Sequence, residues 1–446
     1  MNAIADQKSA LAEALLAEGA VADPASEAPW AQRFRAAAVE RVRALGAPVR
    51  RDEYWKYTDP SSLTRPVPLA PASAAAPPRR GPFAAIEAVT LTFVNGLFRP
   101  DLSDPLALEG VETVPLSQAL IGESWAADQL GRLEAEGQAP VARPLAALNG
   151  ALARDGVLIR VTGTPSKPIH LRYEADGEGG GAARLRSLVA LEENASLSLL
   201  ESGPGAHRFN TVLEVSQAAG SAFHHARLQV DPAMDQVVSG LFARLEARAQ
   251  LKSFTLRSAA KAATVAHPLA RNEAVLTLAG DHASAHIAGG ILGRADAHAD
   301  FTVFLTHDAE DCESRQVFKT VLDDEARGVF QGKILVKEGA QRTDGYQISQ
   351  SILLSEACEF DAKPELEIYA DDVQCSHGST TGAIDETALF YLRSRGVDQA
   401  TAEALLVAAF IEEAVDEIDA DAPAGEAVRD AVRAEVARWM ADRSAG

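Results

Sequence analysis

The chain has 446 residues, enough for one large core or two to three domains. A formal charge of −21 argues against nucleic acid or an anionic membrane as partner, while 47% hydrophobic and 24% charged residues are ordinary for a soluble globular protein. No run approaches the 18 or so apolar residues of a membrane span, no basic stretch precedes an apolar core at the amino terminus, and Cys312, Cys358 and Cys375 form no CxxC pair, so a reducing cytoplasm is the expected location.

Residues 8–20 have helical spacing, with Leu11, Leu15 and Leu16 on one face. In 30–45, Phe34, Ala38 and Val42 alternate with arginines in a second amphipathic segment. The block 51–58 holds Tyr54, Trp55 and Tyr57, three aromatics within four residues, and is expected to pin the amino-terminal helices to the body. Residues 1–65 thus read as an amino-terminal helical region, and 66–82, rich in Pro and Ala, as an exposed linker without its own core. Strand alternation in 88–98 leads into Asn95-Gly96, a hairpin turn. Residues 116–153 return to helix, with Leu130, Leu133, Leu145 and Leu148 as a packing face, which makes 83–155 mixed α/β.

From 156 to 382 the character changes. Short β runs such as IHLRYEA, SLVALEE, TVLEVSQ and ADFTVFLTH recur between Gly, Asn, Asp or Ala corners. Corner elements beginning at Glu193, Ala219, Ala247 and Arg271 are spaced by 26, 28 and 24 residues. A loose repeat in the twenties is what a β-solenoid leaves in sequence, whereas a β-sandwich would run out of strands earlier. The spacing therefore points to a parallel or mixed β-helix core. The segment 383–446 is helical, with one stripe at Leu405, Ala409 and Ile418 and another at Val428, Val432, Val436 and Met440. Its charged outer face reads as solvated, although Phe390, Tyr391, Leu392 and Arg393 mix apolar and cationic groups as interaction faces do.

The stretch 363–397, KPELEIYADDVQCSHGSTTGAIDETALFYLRSRGV, concentrates the chemistry. Pro364 marks an entry turn before the strand-like Leu366, Ile368 and Tyr369. If the strand continues past Asp371 and Asp372, then Val373, Cys375 and His377 share one face. Gly378 and Gly382 bracket a hydroxyl-rich turn, Ser379-Thr380-Thr381. Asp385 then caps a helix over 386–394, stopped by Gly396. A thiol and an imidazole two residues apart lie about 7 Å apart at their Cα atoms. That spacing suits two irons of a cluster, or one ligand and one neighbour, better than a single chelated ion. The same imidazole could instead hydrogen-bond the turn, and the thiol could fill a small core position.

Other candidates are weaker. His224 and His225 are adjacent and face opposite ways on a strand, and His282 and His286 would stand about 13 Å apart on one. Cys312 sits in an acidic corner expected to be a solvated loop, and Cys358 is expected in the core. The glycine run 177–181 reads as a flexible loop, and neither a GxxxxGK[ST] phosphate loop nor a GxSxG elbow occurs.

YADDVQCSHGSTTG followed by DETALFYLRSRGV, RDEYWKYTDPSSL at 51–63 and GKILVKEGAQRTDGYQISQSILLS at 332–355 closely resemble, in order, three signatures of the SufD branch of the SufB/SufD family. Members of this family are scaffold subunits of SUF-type iron–sulfur cluster assembly, and the resemblance covers the chain from about residue 30 to 420. It implies a right-handed parallel β-helix core between an amino-terminal α/β region and a carboxy-terminal helical domain. It implies a non-catalytic subunit that pairs with SufB and docks the SufC ATPase through its helical domain; residues 385–420, including Phe390, Tyr391, Leu392 and Arg393, follow directly from the solenoid's end and mix apolar with charged groups, which makes them the expected docking arm. A transient iron–sulfur cluster or iron, shared with SufB, would be held where His377 offers a ligand or iron-entry group, with Cys375 beside it. SufB is expected to bring its own cysteine, and the absence of cysteine between residues 330 and 357 favours the SufD branch. A β-helix carbohydrate-active enzyme would need clustered acids and bases and usually a secretion signal. A purely structural homodimer would leave Cys375 and His377 idle.

Overall fold

The computed structural model describes residues 2–19, 26–70, 81–175, 181–230, 236–259 and 267–445. Most of the proline-rich linker (71–80) and of the glycine run (177–180) lies outside the described residues.

Apolar residues recurring on strands of mostly ten residues build two walls that face each other across a lumen. One sheet runs, in spatial order, Val373–Gly382, Thr343–Leu353, Glu313–Leu322, Ser284–Gly293, Gln250–Ser258, Ala222–Gln229, Ser196–Ser202, Ile169–Glu174, Val89–Val94 and Leu97–Phe98. The other runs Glu359–Ile368, Arg327–Val336, His298–His307, Leu269–Leu278, Gln236–Leu245, Arg208–Gln217, Ala182–Leu191, Val157–Val161 and Val111–Pro115. Successive strands alternate between the sheets and pair in parallel with the strand one coil away, so the chain winds a parallel β-solenoid. Inward residues such as Leu197, Phe223, Leu251 and Phe301 fill the lumen. The outward column Leu200, Ala226, Phe254, Ala288 and Val317 is covered by Val407, Ile411, Val415, Val432 and Trp439 of the carboxy-terminal helices. Burial on both faces explains why these strands read as continuous apolar runs rather than strict alternation.

The corners carry the repeat. Asn194, Gly220, Arg248, His282, Asp311 and Arg342 all have positive φ, between 54° and 70°. The N–H of each donates to a carbonyl of the next coil, at Ala219, Ala247, Asp281, Glu310, Gln341 and Asp372 in turn. Ser196 stacks on Ala222 and Ala222 on Gln250, so the expected spacings of 26 and 28 are the true rungs. The third is not: Gln250 stacks on Ser284, while Arg271 belongs to the opposite wall. That coil is lengthened by the connection between Ser258 and Leu269, which displaces the next corner.

At the amino end, Asn2–Ala17, Pro29–Leu45 and Pro144–Leu152 pack Leu15, Ala38, Val42 and Leu148 onto Val238 and Leu269 of the outer wall. Asn95 and Gly96, both with positive φ, make the expected hairpin turn between Val94 and Leu97. The helix expected over 116–153 is three short ones, Leu116–Ala119, Arg132–Glu136 and Pro144–Leu152, whose neighbourhood buries Leu130, Leu133, Leu145 and Leu148. The start of the proline-rich segment is docked rather than free: Ala70 N donates to Ala182 O, and Ala182 N donates to Pro68 O.

The carboxy-terminal helices are Glu386–Arg393, Gln399–Val415 and Gly425–Ala445. Val428, Val432, Val436 and Met440 are buried, as their spacing requires. Of the stripe expected at Leu405, Ala409 and Ile418, Ile418 is buried while Leu405 and Ala409 are exposed, and Val407, Ile411, Ala414 and Val415 face the solenoid instead. No described helix is long and apolar enough to cross a membrane.

Candidate functional site

Glu359–Ile368 and Val373–Gly382 are the outermost strands of the two sheets, so each has one paired edge and one free edge. The expected turn at Ser379-Thr380-Thr381 does not form; the strand runs on to Gly382 in register with Ser349, Gln350, Ser351 and Ile352. The neighbouring strand imposes this extension, and hydroxyls tie the two together: Ser349 Oγ donates to Ser379 Oγ at 3.2 Å and Ser351 Oγ to Thr381 Oγ1 at 3.0 Å. Pro364 likewise lies inside a strand rather than at its entry, a position tolerated because that strand is an edge.

Asp371 and Asp372 form the corner before the last strand, which is held by Arg342 N donating to Asp372 O at 2.6 Å. Beyond it Cys375 and His377 do share a face, the one that continues the lumen, stacked on Gly345 and Gln347. The missing side chain of Gly345 leaves room for the Cys375 thiol, which packs beside Ile334, Val336, Ala340 and Ala370. Burial pushes that thiol above the ordinary cysteine range, outweighing the hydrogen bond from Gly345 N–H, so the group stays protonated at neutral pH. A protonated thiol is a poor metal ligand until a bound cation or a new neighbour removes its proton. His377 is exposed, and its ring makes no hydrogen bond among the described residues. At the corner that precedes this last strand, the apolar surface of Ile368 and Tyr369 lies open.

The amino-terminal aromatic block reaches this same end. Tyr54 Oη donates to Glu365 Oε2 at 2.7 Å, Lys363 Nζ lies 4.2 Å from the Tyr54 ring centre, and Lys363 pairs with Glu53 at 2.9 Å. Burial first, and then Glu365, hold the Tyr54 hydroxyl well above the ordinary tyrosine range, so it remains a donor. Trp55 is buried under the Arg271 guanidinium at 4.1 Å. The expected anchor therefore exists, and sequence reasoning missed that half of it braces the last coil. The only local signal for that role is the alternation of Lys363, Glu365 and Glu367 on one strand face.

After the last strand, Asp385 Oδ1 accepts from Thr387 N and Ala388 N at 2.8 and 3.0 Å, starting the expected helix. Phe390 is 73% and Tyr391 56% exposed, Leu392 is half-buried and Arg393 exposed. The Arg395 guanidinium sits 3.4 Å from the centre of the Tyr391 ring. Leu405, on the next helix and expected in its apolar stripe, is another exposed large apolar side chain.

The remaining candidates find structural partners. His225 faces inward to Ser253 Oγ at 2.8 Å, while His224 faces outward, 3.8 Å from Asp419. His286 pairs with Glu417 at 2.9 Å, and His282 occupies a left-handed corner. Cys312 is buried in the lumen core with its thiol donating to Gly280 O at 3.4 Å, which corrects the expected solvated loop. Cys358 is half-buried against the core, 3.7 Å from Asp324 O. Among the described residues no group of three or more His, Cys, Asp or Glu side chains could hold a metal ion.

Comparison with known proteins gives this architecture a family. Residues 173–410 match the family model described as "SUF system FeS cluster assembly, SufBD core domain". The chain is 30% identical over 404 residues to the iron–sulfur cluster assembly protein SufD of Escherichia coli, covering 88% of this chain and 89% of that protein. It is 28% identical over 423 residues to an iron–sulfur cluster assembly SufBD family protein of Synechocystis, covering 86% of each. It is 25% identical over 284 residues to SufD of Bacillus subtilis, covering 61% of this chain and 63% of that protein. With a solenoid whose last coil carries Cys375 and His377 and a matching family model over most of that solenoid, the chain belongs to the SufD family of SUF-system iron–sulfur cluster assembly proteins.

Proposed function

We propose that this protein is a non-catalytic scaffold subunit that pairs with SufB through its last coil, docks the SufC ATPase through its carboxy-terminal arm, and offers His377 to iron or a nascent cluster at the SufB junction. The observation that carries this reading is the position of His377: an exposed imidazole, without a hydrogen bond among the described residues, on an edge strand at the open end of the solenoid. Free edges pair readily with another chain, and the exposed Ile368 and Tyr369 add apolar surface for such a partner to cover. One exposed imidazole and one protonated thiol are too few donors to hold a cluster alone, so the remaining ligands would come from the partner. Imidazole in place of thiolate gives a more exchangeable hold, suited to cargo that must leave. Glu386–Arg393 presents Phe390 and Tyr391 with little packing of their own, which fits an arm waiting for a partner.

The deciding experiment measures iron and sulfide on the co-purified complex. His377→Ala should leave folding and assembly intact, because an exposed side chain changes stability by only about 0.5 kcal/mol, yet deplete the complex of cluster. Cys375→Ser should act more weakly. A stable, fully loaded His377→Ala complex would show the assignment to be wrong. Robust ATP turnover by the pure chain would remove the scaffold reading altogether.

A further inference from the structure

The inner column that ends at His377 is polar over its last three coils. Gln316, Gln347 and His377 stack in register, one per coil, about 4.8 Å apart. Both glutamines are fully buried. Gln347 Nε2 donates to Gln316 Oε1 at 2.8 Å, which aligns the Gln347 amide along the solenoid axis. Gln347 Oε1 has no hydrogen-bond partner. An amide that donates toward the coil below turns its carbonyl toward the coil above, where the next inward group is the His377 imidazole. The opposite wall makes room for this arrangement: a Cβ at Gly332 would overlap Gln347 Nε2. Buried acceptors are rarely left open, and an open one beside an unpartnered imidazole needs an explanation.

We propose that Gln347 is a positioning residue for His377: its Oε1 accepts the ring N–H that faces the lumen, so that the other, unprotonated ring nitrogen is presented to iron at the open end. A neutral imidazole offers one nitrogen to a metal, and the hydrogen bond made by the other decides which one and fixes the ring plane. Gln316 holds Gln347 in line, and Gly332 provides the space. This inference rests on the reading of His377 as the iron-binding group and adds the element that orients it.

The test uses the full-length chain with nitrogen-labelled histidine, and in parallel its co-purified complex. Two-bond proton–nitrogen spectra report the tautomer and titration of His377, identified by the signals that vanish in His377→Ala. Gln347→Leu removes the acceptor at similar volume, and Gln347→Glu keeps an acceptor and adds charge. One dominant His377 tautomer is expected in the native chain, a mixture in Gln347→Leu, and titration at higher pH in Gln347→Glu. Iron content of the complex at limiting Fe(II) should show affinity lowered about 10–100-fold in Gln347→Leu. If Gln347→Leu does not fold, Gln316→Leu, which frees the Gln347 amide, and Gln347→Glu carry the same spectral test. Unchanged tautomer and titration in the variants overturn the proposal, whatever their melting temperatures. A shifted tautomer together with normal cluster content in His377→Ala supports the positioning contact and removes the ligand reading instead.

Discussion

Tyr54 Oη and Glu365 Oε2, 311 residues apart in sequence, meet at 2.7 Å where the amino-terminal segment crosses the last coil of the solenoid. An edge strand has only one neighbour, so a clasp on its outer face matters more there than on a central coil. Hydrogen bonds to a charged acceptor contribute about 1.5–3 kcal/mol, less here because the pair is only part-buried. Tyr54→Phe should therefore lower the global melting temperature by only about 1–2 °C in a chain of this size. Hydrogen exchange should respond more sharply: amides in Glu359–Ile368 exchange faster while those in Gln236–Leu245 do not. Equal change in both strands would mean that the clasp is not local.

Ile368 and Tyr369, 40% and 61% exposed, give a direct handle on the proposed junction. Placing a charge on an apolar surface that a partner buries is costly, whereas the same charge facing water is not. Ile368→Asp with Tyr369→Asp should leave the melting temperature of the isolated chain within about 1 °C and abolish co-purification with SufB. Retention of the SufB complex would move the junction away from this end.

Buried histidines contribute to the acid response. His170 and His307 are buried, and burial pushes both down to about 4. The unfolded chain binds protons at these positions near pH 6.5, whereas the folded chain does not until about pH 4. Stability from each is thus complete above pH 6.5 and is lost as pH falls toward 4, amounting to about 3 kcal/mol per histidine at most. His307→Gln keeps a hydrogen-bonding group for Ser314, which His307 Nε2 meets at 2.8 Å, and removes the titration. Its stability should fall less steeply than the native chain's between pH 6.5 and 4. Parallel curves would exclude His307 as a contributor.

Local signals were legible where the physics is local. Asp385 caps its helix and Asn95-Gly96 turns its hairpin because each needs only a few neighbouring residues. The solenoid was legible because every coil must turn a corner, and the corners recur until the longer coil before Ser284 breaks the period. Ser379-Thr380-Thr381 was misread because glycines and hydroxyls favour turns in isolation, while the strand Thr343–Leu353 extends them by pairing. Leu405 was misread because the stripe that a helix buries depends on where the outer column of the solenoid lies. Gln347 was missed for a related reason. In QISQS the polar residues look like the wet face of a strand, yet Gln347, Ser349 and Ser351 face the lumen and are buried.

The carboxy-terminal arm yields the last prediction. The helix bundle behind it is fixed to the solenoid: Glu417 bonds Arg315 at 2.6 Å and His286 at 2.9 Å, Asp419 meets Lys252 at 3.1 Å, and Glu413 pairs with Lys319. Although burial pushes Glu417 up, these two partners hold it below the ordinary glutamate range, which keeps the latch charged at neutral pH. The short helix Glu386–Arg393 is different, since none of its residues is buried. Its exposed Phe390 packs little, so Phe390→Asp removes almost no internal contact and should leave the melting temperature within about 1 °C of native. Leu392 is half-buried, and Leu392→Asp should cost more stability, which makes it the less clean probe. If this arm seats SufC, Phe390→Asp alone should release SufC from the purified complex while SufB stays bound. Leu405→Asp, on the neighbouring helix, tells whether the seat extends beyond the arm: loss of SufC there as well means a surface spanning both helices. Retention of SufC in both variants would place the docking surface elsewhere on the chain.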